Sequence, residues 1–501
     1  MAAEESVRQT LVETEAQSLD LSDFSALLKK EFRPRTDRVQ EEVEAAVRTL
    51  AEYVLQHANV VSTDAIRTIE AIRAALDRKL TEQLNQILHH PAFQELEGAW
   101  RGLHHLVNNT ETDEMLKIRV MNISKKELGH TLRRYKGVRW DQSPIFKKIY
   151  GEEYDQMGGE PFGCLVLDYY FDHSAPDVEL LGEMAKIAAA SHAPVITGAA
   201  PSVMQMQSWT ELSGPDDLSR IFTTLKAEYA AWNALRQAED SRFIGLAMPR
   251  FLARLPYGAK TDPVDAFDFE EDAEGANGDK YCWANSAYAM ASNINRSFKL
   301  FGWCSRIRGV EAGGAVEGLP VHSFPTDDGG VDMKCPTEIA IGHRREAELA
   351  KLGFMPLCHR KNSDFAAFIG AQSLQQPEEY DKPEATANAN LAARLPYLFA
   401  SCRFAHYLKQ LAYDKIGSFK ERDDMQQWLQ DWIMQYVLGN PESAPEQRRA
   451  EKPLREASVV VEEVEGNPGY YTSKFYLRPH YQLEGLNVTL SLVARLPTVQ
   501  G

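Results

Sequence analysis

The feature that most constrains the fold is an alternation of apolar strands and helices through the middle of the chain. "FGCLVLDYYF" (162–171), "APVITGAAP" (193–201) and "RFIGLAMPRFL" (242–252) are short and apolar, as buried strands are. Between the first two lies "PDVELLGEMAKIAAASH" (176–192), a helical pattern with a proline in its first turn. Strands and helices that alternate in this way predict a sheet covered by helices.

The rest of the chain divides around this body. Residues 1–60 predict an N-terminal arm, residues 61–380 the mixed α/β body, and residues 381–501 a C-terminal domain of helices followed by strands. Within the body, "MLKIRVMNI" (115–123) predicts a further strand and "PDDLSRIFTTLKAEYAAWNALRQ" (215–237) a single long helix. The predicted fold class is therefore α/β of the mixed, α+β type.

Two apolar helical stripes precede the body. The second runs from Ile66 to Ile87, after Ser62 or Thr63, either of which can cap it. The first stripe consists of Val39, Val43, Val47, Leu50 and Val54. Such stripes usually pack within a domain, but these come before the globular part, so docking against a partner helix is a second interpretation.

The end of the chain alternates apolar and polar residues. The pattern covers Asn487, Val488, Thr489, Leu490, Ser491, Leu492 and Val493. A period of two predicts a strand with one apolar face. A strand needs a neighbour for its backbone N–H and C=O groups. The pattern does not decide whether that neighbour belongs to the same molecule.

The charge balance excludes one class of partner. The net charge is −17, from 72 acidic and 55 basic residues. Binding to nucleic acid requires a basic face, so nucleic acid is not a predicted partner. Much of the acidic excess lies in "DPVDAFDFEEDAEGANGD" (262–279), which we interpret as a solvated surface insertion. It lacks the residue spacing of an EF-hand calcium loop.

Motifs that carry chemistry are absent from the sequence. It contains no phosphate loop, dinucleotide fingerprint, zinc-protease motif or nucleophile elbow. None of the six cysteines is paired as C-x-x-C, and the adjacent pairs His89/His90 and His104/His105 do not share a helix face. We therefore predict no catalytic residue, cofactor or metal. The sequence has neither a membrane-length apolar run nor a secretory leader, so we predict no membrane insertion and a cytoplasmic location.

Long segments of the chain resemble the large subunit of the bacterial type VI secretion sheath, the TssC/VipB family. The likeness covers roughly residues 60–497 and is weakest in the N-terminal arm and the acidic insertion. It rests on "HPAFQELEGAWRGLHHLV" (90–107), "GGEPFGCLVLDYYF" (158–171), "YCWANSAYAMA" (281–291), "GWCSRIRGVEAGGAVEGLPVHSF" (302–324), "KCPTEIAIGHRREAELAKLGFMPL" (334–357) and "YLRPHYQLEGLNVTLSLVARLP" (476–497).

The resemblance implies a structural protein with no enzymatic activity. Members of this family pair with a small sheath subunit of the TssB/VipA type and with other copies of themselves. They form a helical cylinder related to contractile phage tail sheaths. The cylinder stands on a baseplate, surrounds an inner tube of hexameric rings and contracts to propel that tube. An AAA+ unfoldase then disassembles the contracted sheath.

The resemblance also implies where the subunits join. Strands exchanged between neighbours link the subunits, so we expect residues 487–493 to lie in a sheet completed by strands from other subunits, one of them from the small subunit. The alternative is a terminal strand within its own domain. The N-terminal stripe is expected to pack with the small subunit, and Lys474, Arg478 and Arg495 are candidates for contact with the tube.

Two other function classes remain open from the sequence: an α/β enzyme with an unrecognised site, and a scaffold or chaperone-like binding module. Catalytic groups are often dispersed in sequence, so the absence of a motif does not exclude an enzyme. Tubular polymers seen by electron microscopy on co-expression with the genomic neighbour would favour the sheath. A discrete small oligomer would favour either alternative.

Overall fold

The computed structural model describes residues 65–482, except 215–216, 223–226, 274–277, 327–328, 416–420, 441–442, 465–470 and 481, together with residue 45. The helices are α1 (Ala65–Leu88), α2 (Pro91–Asn108), α3 (Lys125–Arg134), α4 (Ala175–Ser191), α5 (Ala230–Gln237), α6 (Ser286–Phe301), α7 (His343–Lys351), α8 (Pro383–Ala392), α9 (Leu395–Asp414), α10 (Arg422–Met434) and α11 (Glu446–Glu451).

The strands are β1 (Leu165–Phe171), β2 (Val195–Ala199), β3 (Ile244–Met248), β4 (Phe251–Leu252), β5 (Trp283–Ala284), β6 (Ala315–Val316), β7 (Ser323–Pro325), β8 (Val331–Met333), β9 (Phe354–His359), β10 (Ala366–Phe368), β11 (Leu454–Glu463) and β12 (Tyr471–Pro479). Short 3₁₀, π or single-turn segments are Gly137–Gln142, Pro144–Phe146, Lys147–Gly151, Pro201–Met204, Trp209–Ser213, Leu218–Arg220, Ala227–Tyr229, Glu239–Phe243 and Val310–Gly314.

A six-stranded sheet organises the larger of two compact units, which contains the described residues of 98–253, 283–321 and 335–482. The strand order is β1-β2-β3-β9-β10-β6, in which β1, β2, β3 and β9 are parallel and β10 is antiparallel to both of its neighbours. Helices α4 and α6 contact its strands, and residues such as Ile196, Leu246 and Phe354 are fully buried in the core. The predicted mixed α/β fold class is confirmed, whereas the domain boundaries remain a prediction.

Two local predictions within this unit are wrong. Residues 115–123 form no strand in the described part of the chain, and Val120 and Met121 are 67% and 50% exposed. Their alternation lacks a neighbouring strand that would satisfy the backbone. The predicted helix over 215–237 is reduced to α5, preceded by two 3₁₀ turns. Tyr229, fully buried with its hydroxyl donating to the Val203 carbonyl, lies in the second of these turns, so tertiary packing overrides helix propensity there.

The smaller unit contains the described residues of 65–97, 254–282 and 322–334. It includes α1, the beginning of α2 and the antiparallel pair β7–β8. The predicted apolar helix after "VSTD" is confirmed as α1, whereas Ser62 and Thr63 lie outside the described residues.

The described residues of the acidic insertion belong to this smaller unit and, as predicted, are mostly not buried, except Phe269 and Glu271. The Glu271 carboxylate is buried and accepts hydrogen bonds from Arg254 and from the Tyr257 backbone N–H. A second carboxylate, that of Glu97, accepts from the same guanidinium. One residue of the insertion is therefore a structural anchor rather than a solvated charge.

Candidate assembly surface

The residues predicted to join subunits lie at the two ends of the chain. The segment 487–493 and the stripe Val39, Val43, Val47, Leu50 and Val54 are both outside the described residues. Both assignments therefore remain predictions. The hairpin β11–β12 is the last described secondary-structure element before the C-terminal segment. Its surfaces are therefore candidates for contact with another chain.

The hairpin is antiparallel and packs against α10. Val459 lies opposite Phe475, and Ala457 lies opposite Leu477. Val459 and Val461 are buried on the face toward α10, while Phe475 and Leu477 pack only partly against the same apolar cluster. That second core consists of Trp303, Phe404, Leu408, Leu429, Ile433, Leu454, Val459 and Val461. The apolar face of the hairpin is thus better covered along β11 than along β12.

Helix α9 contributes to two of the apolar clusters of the larger unit. Leu398, Phe399 and Cys402 belong to the core around the six-stranded sheet, whereas Phe404 and Leu408 belong to the second core. The ring of Phe404 stacks on Trp303 with ring centroids 4.3 Å apart. The hairpin is therefore connected to the sheet through the side chains of one helix.

The outer edge of β12 has no backbone partner among the described residues. On β11, Val459 and Val461 direct their N–H groups to side chains of α10, so residues 458, 460 and 462 carry the ladder to β12. Their partners on β12 are Tyr476, Lys474 and Thr472. By alternation, Ser473, Phe475 and Leu477 direct their N–H and C=O groups away from β11, where no described residue pairs with them. This edge can accept a strand.

The solvent face of the hairpin carries paired charges. Lys474 donates to Glu462 at 2.7 Å, and Arg478 donates to Glu456 at 3.1 Å. The hydrogen bond to Glu462 raises the pKa of the Lys474 ammonium. Both cations were predicted candidates for contact with the tube, and the structure places them in cross-strand pairs within the hairpin. Arg495, the third candidate, lies outside the described residues.

The described residues contain no group of three or more histidine, cysteine, aspartate or glutamate side chains that would hold a metal ion. None of the described helices is both long and apolar enough to cross a bilayer. All six cysteines are free thiols. Burial raises the pKa of Cys304 and of Cys402 to about 12, so these thiols are poor nucleophiles.

The sequence indicates the two hairpin strands but not the difference between their edges. "ASVVVEEV" (457–464) and "YYTSKFYLRPHYQLEG" (470–485) indicated the two strands. The edges differ because Gln426 and Gln430 lie one helical turn apart and contact β11. Two glutamines at this spacing are the only signal in the sequence, and it does not identify their partner.

Two family models match the chain over most of its length. The EvpB/VC_A0108 tail sheath N-terminal domain matches residues 70–375. The EvpB/VC_A0108 tail sheath gpW/gp25-like domain matches residues 384–496, which include α9, α10 and the hairpin.

A curated relative matches nearly the whole chain. The type VI secretion system sheath protein TssC1 of Pseudomonas aeruginosa is 70% identical over 492 residues, which cover 98% of this chain and 98% of the relative.

Two solved structures share a weaker likeness. The anti-feeding prophage baseplate, 6-fold symmetrised, has a TM-score of 0.34 at 10% identity, and the contracted helical sheath of the same particle has a TM-score of 0.30 at 10% identity. Each alignment covers 64% of this chain and 67% of the other. These scores are too low to carry an argument, and the assignment rests on the sequence matches. The chain belongs to the EvpB/VC_A0108 (VipB) tail sheath family of type VI secretion systems.

Proposed function

We propose that this chain is the large structural subunit of a contractile type VI secretion sheath. It assembles with a small subunit of the TssB/VipA type and with other copies of itself into a helical cylinder around the inner tube, and the cylinder contracts to propel that tube. The observation that carries the proposal is the 70% identity to a sheath protein over 98% of both chains.

The remaining interactions follow from this role. The polymer stands on a baseplate in the cytoplasm, and an AAA+ unfoldase takes apart its contracted form. The subunit has no enzymatic activity, and its work is done by interfaces that differ between the extended and contracted cylinders.

The C-terminal segment 487–493 is the joint between subunits. Its alternating pattern requires a partner edge, and β12 of the hairpin presents one at Ser473, Phe475 and Leu477. Each backbone hydrogen bond adds about 0.5–1.5 kcal/mol, so a short ladder holds several kcal/mol. An edge of this kind left unpaired promotes aggregation, so the subunit expressed alone should be poorly soluble.

Removing residues 487–501 tests the joint. We expect this truncation to abolish cylinder formation and secretion on co-expression with the small subunit, as seen by negative-stain electron microscopy and by release of tube protein. A truncation that removes only 497–501 keeps the alternating segment and should assemble normally. Normal cylinders from the longer truncation would refute the joint.

The N-terminal stripe is the second contact, with the small subunit. Val47→Asp puts a charge into its apolar face and should reduce co-purification of the small subunit. Thr49→Asp, which lies off the stripe, is the matched control. If Val47→Asp co-purifies as much small subunit as the native chain does, the stripe is not the contact with the small subunit.

A further inference from the structure

One segment of the larger unit is strongly basic, although the chain as a whole is acidic. Residues 125–148 contain eight lysine and arginine residues and only two acidic residues, whereas the net charge of the chain is −17. The segment consists of α3 and the short turns that follow it, and both α3 and the turn Lys147–Gly151 pack on α4. The positive charge is therefore gathered around one helix.

Carboxylates of α4 neutralise only part of this charge. Asp177 accepts from Lys125 at 2.6 Å, and Glu179 accepts from Lys136 at 2.6 Å and from Arg133 at 3.4 Å. The other five cations are exposed and form no ion pair within the part of the chain that the structure describes. We call them the basic surface: Lys126, Arg134, Arg139, Lys147 and Lys148.

The fold holds the basic surface in place. Leu128 and Leu132 are buried on one side of α3, so Lys126 and Arg134 lie on the side that faces away from these leucines. Lys147 and Lys148 lie between two buried isoleucines, at positions 145 and 149. The backbone that carries the cations is fixed by the core, so a partner would not have to order it on binding.

The acidic insertion presents the opposite charge from a segment that is also ordered. Asn85 of α1 donates to the Glu270 carbonyl at 3.1 Å and accepts from the Asp272 N–H at 2.9 Å, and the Phe269 side chain is buried. Three exposed carboxylates of the insertion have no ion pair among the described residues. We call them the acidic segment: Asp262, Asp265 and Asp268.

We propose that the basic surface of one copy binds the acidic segment of a second copy in the assembled polymer. The inference rests on the proposed assembly of copies and adds a contact that does not involve the ends of the chain. Every copy carries both surfaces, so the contact uses different patches on the two partners and can repeat along a helical polymer. Like charges oppose the alternatives, in which two basic surfaces or two acidic segments meet.

Such a contact depends on several charges acting together, because single exposed ion pairs contribute little. The Debye length is about 8 Å at about 0.15 M salt and about 3 Å at about 1 M. The contact should therefore weaken as the salt concentration rises.

Charge reversal and its compensation test the pairing. One variant carries Lys147→Glu and Lys148→Glu, a second carries Asp265→Lys and Asp268→Lys, and a third carries all four changes. Each is co-expressed with the small subunit, and cylinders are collected by sedimentation and counted by negative-stain electron microscopy. In each double variant we expect about tenfold fewer cylinders at about 0.15 M salt, because attraction becomes repulsion. With all four changes the charges are complementary again, so the yield should return to within about twofold of the native chain.

Arg360→Glu/Lys361→Glu is the matched control, because it reverses two adjacent exposed cations outside the basic surface. It should assemble as the native chain does. Every variant should still co-purify with the small subunit, which separates loss of the contact from loss of folding. At about 1 M salt the yields of the native chain and the double variants should converge.

Crosslinking between two tagged copies identifies the partner. One copy carries Asp265→Asn/Asp268→Asn and keeps its lysines, and the other carries Lys147→Arg/Lys148→Arg and keeps its aspartates. The cylinders that the two copies form together are treated with a carbodiimide, which joins lysine amines to carboxylates in direct contact. Any peptide that links these lysines to these aspartates then comes from two copies, and we expect mass spectrometry to detect it.

The inference is wrong if the double variants assemble as well as the native chain, if the variant with all four changes does not recover, or if no crosslink joins the two tagged copies. Crosslinks from Lys147 and Lys148 to the small subunit alone would assign the basic surface to that protein and overturn the inference as well. Each of these results can occur while native cylinders form, so the proposed function would stand. Absence of cylinders from the native chain would contradict the proposed function and, with it, this contact.

Discussion

At the residue scale, the smaller unit depends on one buried cation. The Arg254 guanidinium lies between two carboxylates, with Nε 2.6 Å from Glu97 and Nη1 2.5 Å from Glu271. Burial alone would lower the pKa of Arg254, but the hydrogen bonds to Glu97 and Glu271 outweigh it and raise that pKa. Removing the cation would leave two negative charges without compensation in a buried site.

Arg254→Met should therefore lower the free energy of unfolding by about 3–5 kcal/mol, the usual cost of breaking a buried pair. Arg344→Met removes a cation that is 91% exposed and paired with Glu348, and it should change stability by about 1 kcal/mol or less. Urea denaturation of both variants measures the difference. Equal effects would show that the Arg254 cluster adds no more than a surface pair.

A second residue-scale prediction concerns His406, which is buried and donates from Nε2 to the Ser191 carbonyl at 3.0 Å. Burial lowers its pKa from 6.5 to about 4. Between these values the unfolded chain binds a proton that the folded chain does not, so stability falls as the pH drops from 6.5 toward 4 and is retained above 6.5.

His406→Gln should flatten this part of the stability curve, by up to about 3 kcal/mol between pH 7 and pH 4. His130→Gln, at an exposed position, should leave the curve unchanged. The comparison uses urea denaturation midpoints at pH 7, 5.5 and 4. Parallel curves for the native chain and His406→Gln would contradict the prediction.

At the element scale, the part of helix α2 that belongs to the larger unit passes so close to β5 of the same unit that a glycine is required. A Cβ on Gly98 would lie 2.3 Å from the Trp283 carbonyl oxygen, a backbone atom that cannot rotate away. Gly129 in α3 is the matched case, because a Cβ there would meet only the Leu180 side chain, at 3.8 Å.

We expect Gly98→Ala to destabilise the protein by roughly 1–3 kcal/mol through overpacking. Gly129→Ala should stabilise it by about 0.5–1 kcal/mol, because alanine restricts the unfolded chain and suits a helix. Thermal unfolding of the two variants gives opposite shifts if the close approach is real. If both substitutions raise the melting temperature, α2 can move away from the Trp283 carbonyl without loss of stability.

The elements also show what can be predicted from this sequence. β2 and β3 were predictable because their runs are apolar and fully buried, and α3 because Ser124 caps it by accepting from the Glu127 N–H. Residues 115–123 have the pattern of a strand, but no neighbour pairs with them in the described structure. The alternation of apolar and polar residues indicates that a segment favours a strand conformation. Whether the segment pairs with another strand depends on residues far away in sequence.

The same limit applies to the candidate assembly surface. The alternation of 487–493 predicts that a partner edge exists, but not which edge. The hairpin edges differ because Gln430 and Gln426 accept from backbone N–H groups of β11 that lie 29 and 35 positions away in sequence. Resemblance to sheath proteins supplied the expected role, and only the folded arrangement distinguishes the two strands of the hairpin.

At the scale of the whole molecule, helix α9 supplies side chains to two apolar cores that we expect to open separately. Phe404→Ala would open a cavity in the second core at a fully buried position and should cost about 3–5 kcal/mol. Hydrogen exchange should then show lost protection in β11 and β12, with β2 and β3 still protected. Uniform loss across all strands would show instead that the two cores unfold together.

The shared helix has a mechanical consequence. The side chains of α9 that pack in the core around the sheet lie in its first half, from Leu395 to Cys402, and those in the second core follow directly at Phe404 and Leu408, on one continuous helix. A force applied at the hairpin therefore reaches the sheet through packed side chains and helical hydrogen bonds. No flexible linker has to extend before α9 transmits that force. In the proposed sheath, this stiff coupling would pass a displacement of the hairpin on to the sheet with little loss to stretching of the chain.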